Sequence, residues 1–279
     1  MAQGDMRVGT KNQAPDPVLM GILNVTPDSF SDGGEFLEPD RAVARAEALL
    51  DEGAQIVDVG GESTRPGSDP VSPEEELGRV VPVVQGILAA RPESVVSVDT
   101  YRPSTAEAVL DAGVRLINDV TALGDPRMTG LVAERGCSVV LMHMKGEPKS
   151  MQLNPRYEDV VWEVRDFLAE RAGRAVRAGI AEGNIILDPG IGFGKTHAHN
   201  LALLNHLDSL VELGFPILVG ASRKSFLGKT VGSDFPKDRL FGTVAANVMA
   251  YERGASFFRV HDVRANKEAL KVAAAIQKS

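Results

Sequence analysis

Eight short apolar runs, each ending in a residue able to bind a ligand or do chemistry, constrain this chain more than any other feature. Leu19-Met20-Gly21-Ile22-Leu23 leads into Asn24, Ile56-Val57-Asp58-Val59 into Glu62-Ser63-Thr64-Arg65, Val95-Val96-Ser97-Val98 into Asp99, and Leu116-Ile117 into Asn118. Val139-Val140-Leu141-Met142 leads into His143, Ile185-Ile186-Leu187 into Asp188, Ile217-Leu218-Val219 into Ser222-Arg223-Lys224, and Phe257-Phe258 into Arg259-Val260-His261. Runs of this length are strands. One site assembled from eight strand ends is the organisation of a (β/α)8 barrel, the TIM barrel, whose chemistry sits on the face where the strands end.

Between the runs the period changes from strand to helix. Leu77, Val80, Val81, Val84, Ile87 and Leu88 fall on one helical face. Ser72, Pro73 and Glu75 mark the start of that helix with a capping-box signature. A second helix opens at Pro39, carries Ala42, Val43, Ala46, Leu49 and Leu50 on one face, and stops at Gly53. Pro103 to Gly113 repeats the arrangement. Further amphipathic stretches run from about Pro126 to Arg135, Tyr157 to Ala178, Asn200 to Leu213, Asp238 to Arg253 and Ala265 to Ile276. Alternation of this kind implies parallel strands with right-handed crossovers, either an open doubly wound sheet or a closed barrel. Eight units of about 35 residues favour closure in a single α/β domain over residues 18–279.

The chain has 279 residues, 43% of them hydrophobic, enough for one large core. A formal charge of −8 argues against a nucleic-acid partner, because no broad basic stripe is present to neutralise phosphates. Any anion must be held by a local cluster. The single cysteine, Cys137, excludes an internal disulfide and reads as a small core residue. Residues 1–17 contain no continuous apolar stretch and read as a flexible extension, neither signal peptide nor membrane span. No apolar run approaches 18 residues, so the expectation is a soluble, cytoplasmic protein without a membrane partner.

The segment Asp188-Pro189-Gly190-Ile191-Gly192-Phe193-Gly194-Lys195-Thr196 imitates two nucleotide-binding motifs and satisfies neither. Pro189 stands where a P-loop needs its first glycine, and Lys195 where a dinucleotide fingerprint needs its last. What remains is a strand-end carboxylate followed by a glycine-rich turn that lets a flat ligand approach the backbone. Asp99, Asn118 and Asp188 end three strands, an acid-and-amide set that can present acceptors and donors to the edge of a polar heterocycle. Arg259 and His261, two apart on a strand, point the same way and make an anion-binding pair, to which Arg65 and the Ser222-Arg223-Lys224 turn add cations. His197 and His199 diverge by about 200 degrees on a helix, which excludes a shared ligand role and leaves them solvated. With no Cys or His cluster, a divalent cation would be hard and oxygen-bound, held by Asn24 and substrate phosphates; magnesium fits. Cations, an amide and a metal at a barrel mouth suit the stabilisation of a departing phosphate group.

These motifs resemble those of dihydropteroate synthase, the folate-pathway enzyme inhibited by sulfonamides. The matching segments are Met20 to Gly34, Asp58 to Gly67, Ser97-Val98-Asp99-Thr100, Ile117-Asn118-Asp119-Val120, Leu141-Met142-His143-Met144, Asp188 to Lys195, Gly220 to Phe226 and Arg259-Val260-His261-Asp262. The resemblance implies transfer of a pterin-methyl group from 6-hydroxymethyl-7,8-dihydropterin diphosphate to para-aminobenzoate, with magnesium and release of diphosphate. It implies that Asp99, Asn118, Asp188 and Lys224 hold the pterin, with Met142 and Phe193 packed near it. It further implies that Asn24 binds magnesium, that Arg65, Arg259 and His261 hold the diphosphate, and that Thr64, Pro66, Phe193 and Ser225 line the aminobenzoate site. Phe30 and Asp32 belong to the first loop, which in the family closes over the reactants with the second. Asp99, Lys224, Arg65 and Asp32 are the expected catalytic residues, and a homodimer is the expected assembly.

An aryl amine is unprotonated at neutral pH, so carbon–oxygen cleavage is the larger burden and a dissociative reaction is expected. Two alternatives are a pterin-binding methyltransferase of the same superfamily and a catalytically silent pterin-binding paralogue. Asn24, Arg65 and the Arg259–His261 pair, which serve a diphosphate, argue against both. On this reading Arg259→Ala weakens diphosphate binding and spares free pterin, and His143 has no assigned role.

Overall fold

The computed structural model of the chain describes residues 16–26, 38–63, 70–147 and 149–279. Eight strands follow one another: β1 (Val18–Asn24), β2 (Ile56–Gly60), β3 (Val95–Asp99), β4 (Leu116–Asp119), β5 (Ser138–Met142), β6 (Ile185–Asp188), β7 (Leu218–Val219) and β8 (Phe257–Val260). Neighbours pair in parallel from β6 back to β1 and on through β8 to β7. A single parallel bridge, Leu187 to Ile217, joins β6 to β7 and brings the ring round to closure. The architecture is a single (β/α)8 barrel.

The helices are α1 (Glu38–Glu52), α2 (Pro73–Ala90), α3 (Pro103–Asp111), α4 (Pro126–Arg135) and α5 (Val160–Arg177), then α6 (His197–Asn205), α7 (Asp208–Val211), α8 (Ser225–Val231), α9 (Leu240–Glu252) and α10 (Val263–Gln277). Local chemistry sets their ends. Ser72 caps α2 by accepting from the amide of Glu75 at 3.1 Å, and Asp125 and Asp159 cap α4 and α5 in the same way. The Glu75 carboxylate does not complete a capping box; it pairs with Arg79 one turn on. Gly53 ends α1 at φ +108°, a conformation closed to most side chains. The stretch Asn200 to Leu213 is two helices, with a break at His206 and Leu207, and the stretch opening at Asp238 begins as a 3-10 turn from Pro236.

Strand alternation divides the apolar residues into two cores. Outward side chains such as Leu23, Val57, Val98, Ile117, Leu141, Leu187, Val219 and Phe258 pack under the helices. Inward side chains Met20, Ile56, Leu116, Val140, Ile186, Leu218 and Phe257 form a separate apolar cluster inside the ring. Two residues further along, most inward positions are polar, Asp58, Ser97, Asn118, Asp188 and Arg259, with Ile22, Met142 and Gly220 among them. The barrel therefore has an apolar floor and a polar upper layer, and the change comes within one strand repeat.

Of the extension expected over residues 1–17, residues 1–15 lie outside the described part; Asp16 is ion-paired with Lys278 at 2.6 Å. No helix among the described residues is long and apolar enough to cross a membrane.

Candidate active site

The upper layer gathers most of the residues expected from the strand ends. Asn118 and Asp188 are buried, Asp99 and Arg259 partly so. Arg259 spans the layer: its Nη2 donates to Asp99 Oδ2 at 2.9 Å and its Nε to Asp58 Oδ2 at 2.5 Å. Burial works against the guanidinium charge, but Asp58 and Asp99 outweigh it and raise the arginine above its ordinary value. Burial pushes Asp99 up to about 7 against the opposing pull of Arg259. It also raises Asp188, which Lys224 and the amide of Gly190, donating at 2.6 Å, pull the other way. Lys224 is lowered to about 8 by the same burial.

Arg259 thus sits among the acids expected to read a heterocycle, between them and the rim where an anion would lie. Asp58 was not expected as a site residue. Ser97 shares its layer and donates to it at 2.6 Å. The signal for both is period-two counting: Ser97 lies two residues before the expected Asp99, and Asp58 two after Ile56 of its own run, so both face inward.

The glycine-rich turn after β6 is clamped onto the end of β5. Gly190 and Gly194 have φ of +65° and +63°, and a Cβ on either would collide with the carbonyl oxygen of His143 or Lys145 respectively. Lys195 is the clamp: buried, it donates to the carbonyl of Phe193 at 2.9 Å, lies 2.9 Å from His143 Nδ1 and reaches the His143 carbonyl at 3.3 Å. The turn in turn holds Lys224, whose ammonium lies over the Phe193 ring at 4.5 Å and donates to the carbonyl of Ile191. Met142 is buried at the tip of β5, opposite Asp188 in the strand register.

Three expectations change. Arg223 is not a cation offered to a ligand, because Asp262 takes its guanidinium through Nε at 2.9 Å and Nη2 at 2.5 Å. It is the pin of the seventh turn, held at φ +57° with its amide on Thr243 and its carbonyl on Arg239. That strained backbone aims the next residue, Lys224, into the mouth. His197 and His199 are half-buried, not solvated: His199 accepts from the Thr196 amide in a capping box and stacks edge-on against Tyr157. His143 has a place as Lys195's partner, lowered by burial to about 3 and so held neutral.

His261 Nδ1 lies 2.9 Å from Ser222 Oγ, which ties the eighth strand end to the seventh turn. Ser225 is exposed at the first position of α8. Asn24 ends β1 beside Gly60, where an added Cβ would lie 3.7 Å from Asn24 Oδ1 and 4.0 Å from Asp99 Oδ2. Phe30, Asp32, Thr64, Arg65 and Pro66 lie outside the described residues. Arg102 reaches both flanks of the 64–69 segment, pairing with Glu62 at 2.6 Å and donating to the Val71 carbonyl at 2.8 Å.

Known proteins resemble this chain along most of its length. A family model described as pterin binding enzyme matches residues 20–261. The dihydropteroate synthase of Neisseria meningitidis serogroup B is 50% identical over 262 residues, covering 92% of this chain and 91% of that one. The dihydropteroate synthase of Xanthomonas albilineans, solved with 4-aminobenzoic acid, is 48% identical, covers 94% of each chain and superposes with a TM-score of 0.89. A structure from the same organism in complex with 7,8-dihydropteroate is 45% identical over 94% of each chain, with a TM-score of 0.85. Sharing half its residues with such a relative and the family match from β1 to His261, the chain belongs to the dihydropteroate synthase family of pterin-binding transferases.

Proposed function

We propose that the barrel mouth joins para-aminobenzoate to the methylene of 6-hydroxymethyl-7,8-dihydropterin diphosphate and releases diphosphate, yielding 7,8-dihydropteroate. One observation carries this reading: Asp99, Asn118 and Asp188, with Lys224, converge in the upper layer, and Arg259 links that set to the rim. A flat, donor-rich heterocycle satisfies these buried acceptors, and its phosphates extend toward Arg259 and His261.

Asp188 and Asn118 orient the ring edge, and Lys224 supplies a donor from the seventh turn beside Asp188. The partial negative charge of Asp99 lies where positive charge develops as the carbon–oxygen bond breaks. Arg259 and His261 hold the departing diphosphate, joined in the resemblance by Arg65. Phe193 and Ser225 border the aminobenzoate with Thr64 and Pro66, while Phe30 and Asp32 cover the reactants. The aryl amine attacks without a dedicated base, since its lone pair is free at neutral pH.

The donors near Asn24 suit magnesium: its amide oxygen and the Asp99 carboxylate flank the space that Gly60 leaves open, and oxygen donors prefer a hard cation. Asn24 would hold the ion with the phosphate oxygens of the substrate. When bound, magnesium supplies neutralisation of the leaving group's charge.

The reading includes a cytoplasmic homodimer. Helix α9 carries no charged residue before Glu252, yet Phe241, Ala245 and Met249 form an exposed stripe along it, with Phe241 83% exposed. A helix apolar on all sides is ordinarily covered, and the self-complementary occupant is a second copy of this chain. Helix α6, packed against α9, adds exposed Leu201.

A coupled assay with the pterin diphosphate, para-aminobenzoate and magnesium tests the function. Formation of dihydropteroate with stoichiometric diphosphate is expected, and the absence of both products would overturn the reading.

A further inference from the structure

Asp58 is fully buried inside the barrel, with 0% of its surface exposed. Its Oδ1 accepts from Ser97 Oγ at 2.6 Å, and its Oδ2 accepts from Asn118 Nδ2 at 3.2 Å and from Arg259 Nε at 2.5 Å. Three donors from three other strands therefore converge on one carboxylate within the upper layer. A buried ion pair is a weak device for stability, because desolvation cancels most of the attraction. Its position in contact with two candidate site residues calls for another account.

We propose that Asp58 is a positioning residue for the transferase reaction: by engaging Asn118 and Arg259 it fixes which atoms each turns toward the substrate. The proposal rests on the dihydropteroate-forming activity above. A carboxylate oxygen can only accept, so the amide of Asn118 has one permitted orientation, NH2 toward Asp58 and Oδ1 toward the pocket. Asn118 is thereby set to read a ring N–H or amino donor, and a ring with an acceptor at that place is rejected. For Arg259 the division is different. Nε is committed to Asp58 at the centre, while Nη2 bonds the less buried Asp99 and can exchange that carboxylate for substrate phosphate without the side chain losing its anchor. Asp58 also balances the guanidinium charge, so Asp99 stays available to the pterin. One carboxylate thus sets the register between heterocycle recognition and diphosphate recognition.

The test is steady-state kinetics on the full chain with Asp58→Asn, beside the wild type and with thermal unfolding measured on both. The expected result is a KM for pterin diphosphate raised roughly 10- to 100-fold, the usual consequence of losing a group that orients a binding residue, with KM for para-aminobenzoate within about twofold. Wild-type constants in Asp58→Asn, or equal increases in both KM values with a matching loss of melting temperature, would overturn the proposal. A second pair separates positioning from packing. Asn118→Asp alone sets two carboxylates face to face, whereas Asp58→Asn with Asn118→Asp restores a donor between them and keeps an acceptor in the pocket. The double variant should bind dihydropteroate more tightly than Asn118→Asp alone, with the KM for pterin diphosphate still raised; no recovery counts against the proposal. If Asp58→Asn does not fold, Ser97→Ala, which frees Oδ1 while keeping the charge, should raise that KM several-fold, and an unchanged value would overturn it. Wild type inactive in the same assay would instead refute the functional reading on which the proposal stands.

Discussion

The ammonium of Lys195 lies 2.9 Å from Nδ1 of His143 and 2.9 Å from the carbonyl of Phe193, so one side chain ties the turn after β6 to the end of β5. Burial lowers Lys195 to about 7 and His143 to about 3, which keeps the imidazole neutral with Nδ1 as an acceptor. Lys195→Met keeps much of the volume but leaves two carbonyls and a ring nitrogen without their donor. We expect a loss of about 2 kcal/mol in stability by denaturant unfolding. The pH dependence has a definite sign. The unfolded lysine binds its proton more tightly than the folded one, so this group makes stability rise with pH between about 7 and the ordinary lysine value near 10. That slope should be absent in Lys195→Met; an unchanged slope would show that Lys195 is not its source.

Gly190 tests the same clamp from the backbone. With φ of +65° and the His143 carbonyl in the way of any Cβ, Gly190→Ala must displace the turn. The expected cost is about 2–3 kcal/mol. Weaker pterin binding should accompany it, because the turn carries Phe193 and the carbonyl that holds Lys224. Calorimetric titration with dihydropteroate would detect this, and a variant with wild-type affinity would place the turn's importance elsewhere.

The Asp99 carboxyl predicts an acid limb. Raised to about 7 by burial, with Arg259 opposing, it is protonated below neutrality and then loses its attraction for the guanidinium and for developing positive charge. The kcat/KM for pterin diphosphate should therefore fall as pH drops through about 7, and Asp99→Asn should be low throughout without that limb. For stability the sign is reversed from the usual paired aspartate. The folded state binds the proton more tightly than the unfolded one, so this group costs stability progressively from about pH 4 upward and fully above about 7. Asp99→Asn should consequently compare more favourably with wild type at pH 8 than at pH 5 in thermal unfolding.

Arg259→Ala is predicted to do more than a rim cation would. Its removal strips a partner from both Asp58 and Asp99, so dihydropteroate binding should weaken by roughly tenfold or more along with the loss of diphosphate affinity. Spacing along β8 suggested an effect on diphosphate alone. Fluorescence or calorimetric titration with free pterin decides between the two, since unimpaired pterin binding would restore the simpler role.

Phe241→Lys places a charge at the N-terminal end of the exposed α9 stripe, on its most exposed large side chain. A shift from dimer to monomer by light scattering is expected, with the folded barrel retained. A dimer that survives the substitution would move the interface to another face.

The strands and their order were legible because each apolar run is short and closes on a polar residue, and the helices because their apolar faces recur at three and four residues. The candidate site was legible one layer deep. Asn118, Asp188 and Arg259 stand at strand ends where the eye is drawn, whereas Asp58 and Ser97 sit inside apolar runs and read as interruptions. Their inward direction follows from parity, but their partners do not: Arg259 is 201 residues from Asp58, and only ring closure brings them together. Lys195 was hidden by its own chemistry, since a lysine in a glycine-rich turn suggests phosphate or solvent rather than a fully bonded interior. Arg223 misled for a related reason. Its position announced a cation, and nothing local announced that Asp262, across the next strand, had already claimed it.

The apolar floor formed by Met20, Ile56, Leu116, Val140, Ile186, Leu218 and Phe257 makes the barrel a cup with a single doorway. Whatever binds against the upper layer has a closed apolar wall beneath it. Tolerance to chemical elaboration is therefore one-sided: groups added to the edge of a ligand that meets Asn118 and Asp188 must displace buried side chains, while groups added at the other end grow toward the exposed Ser225. Molecules that share this pocket can differ widely in their tails and scarcely at all in their heads.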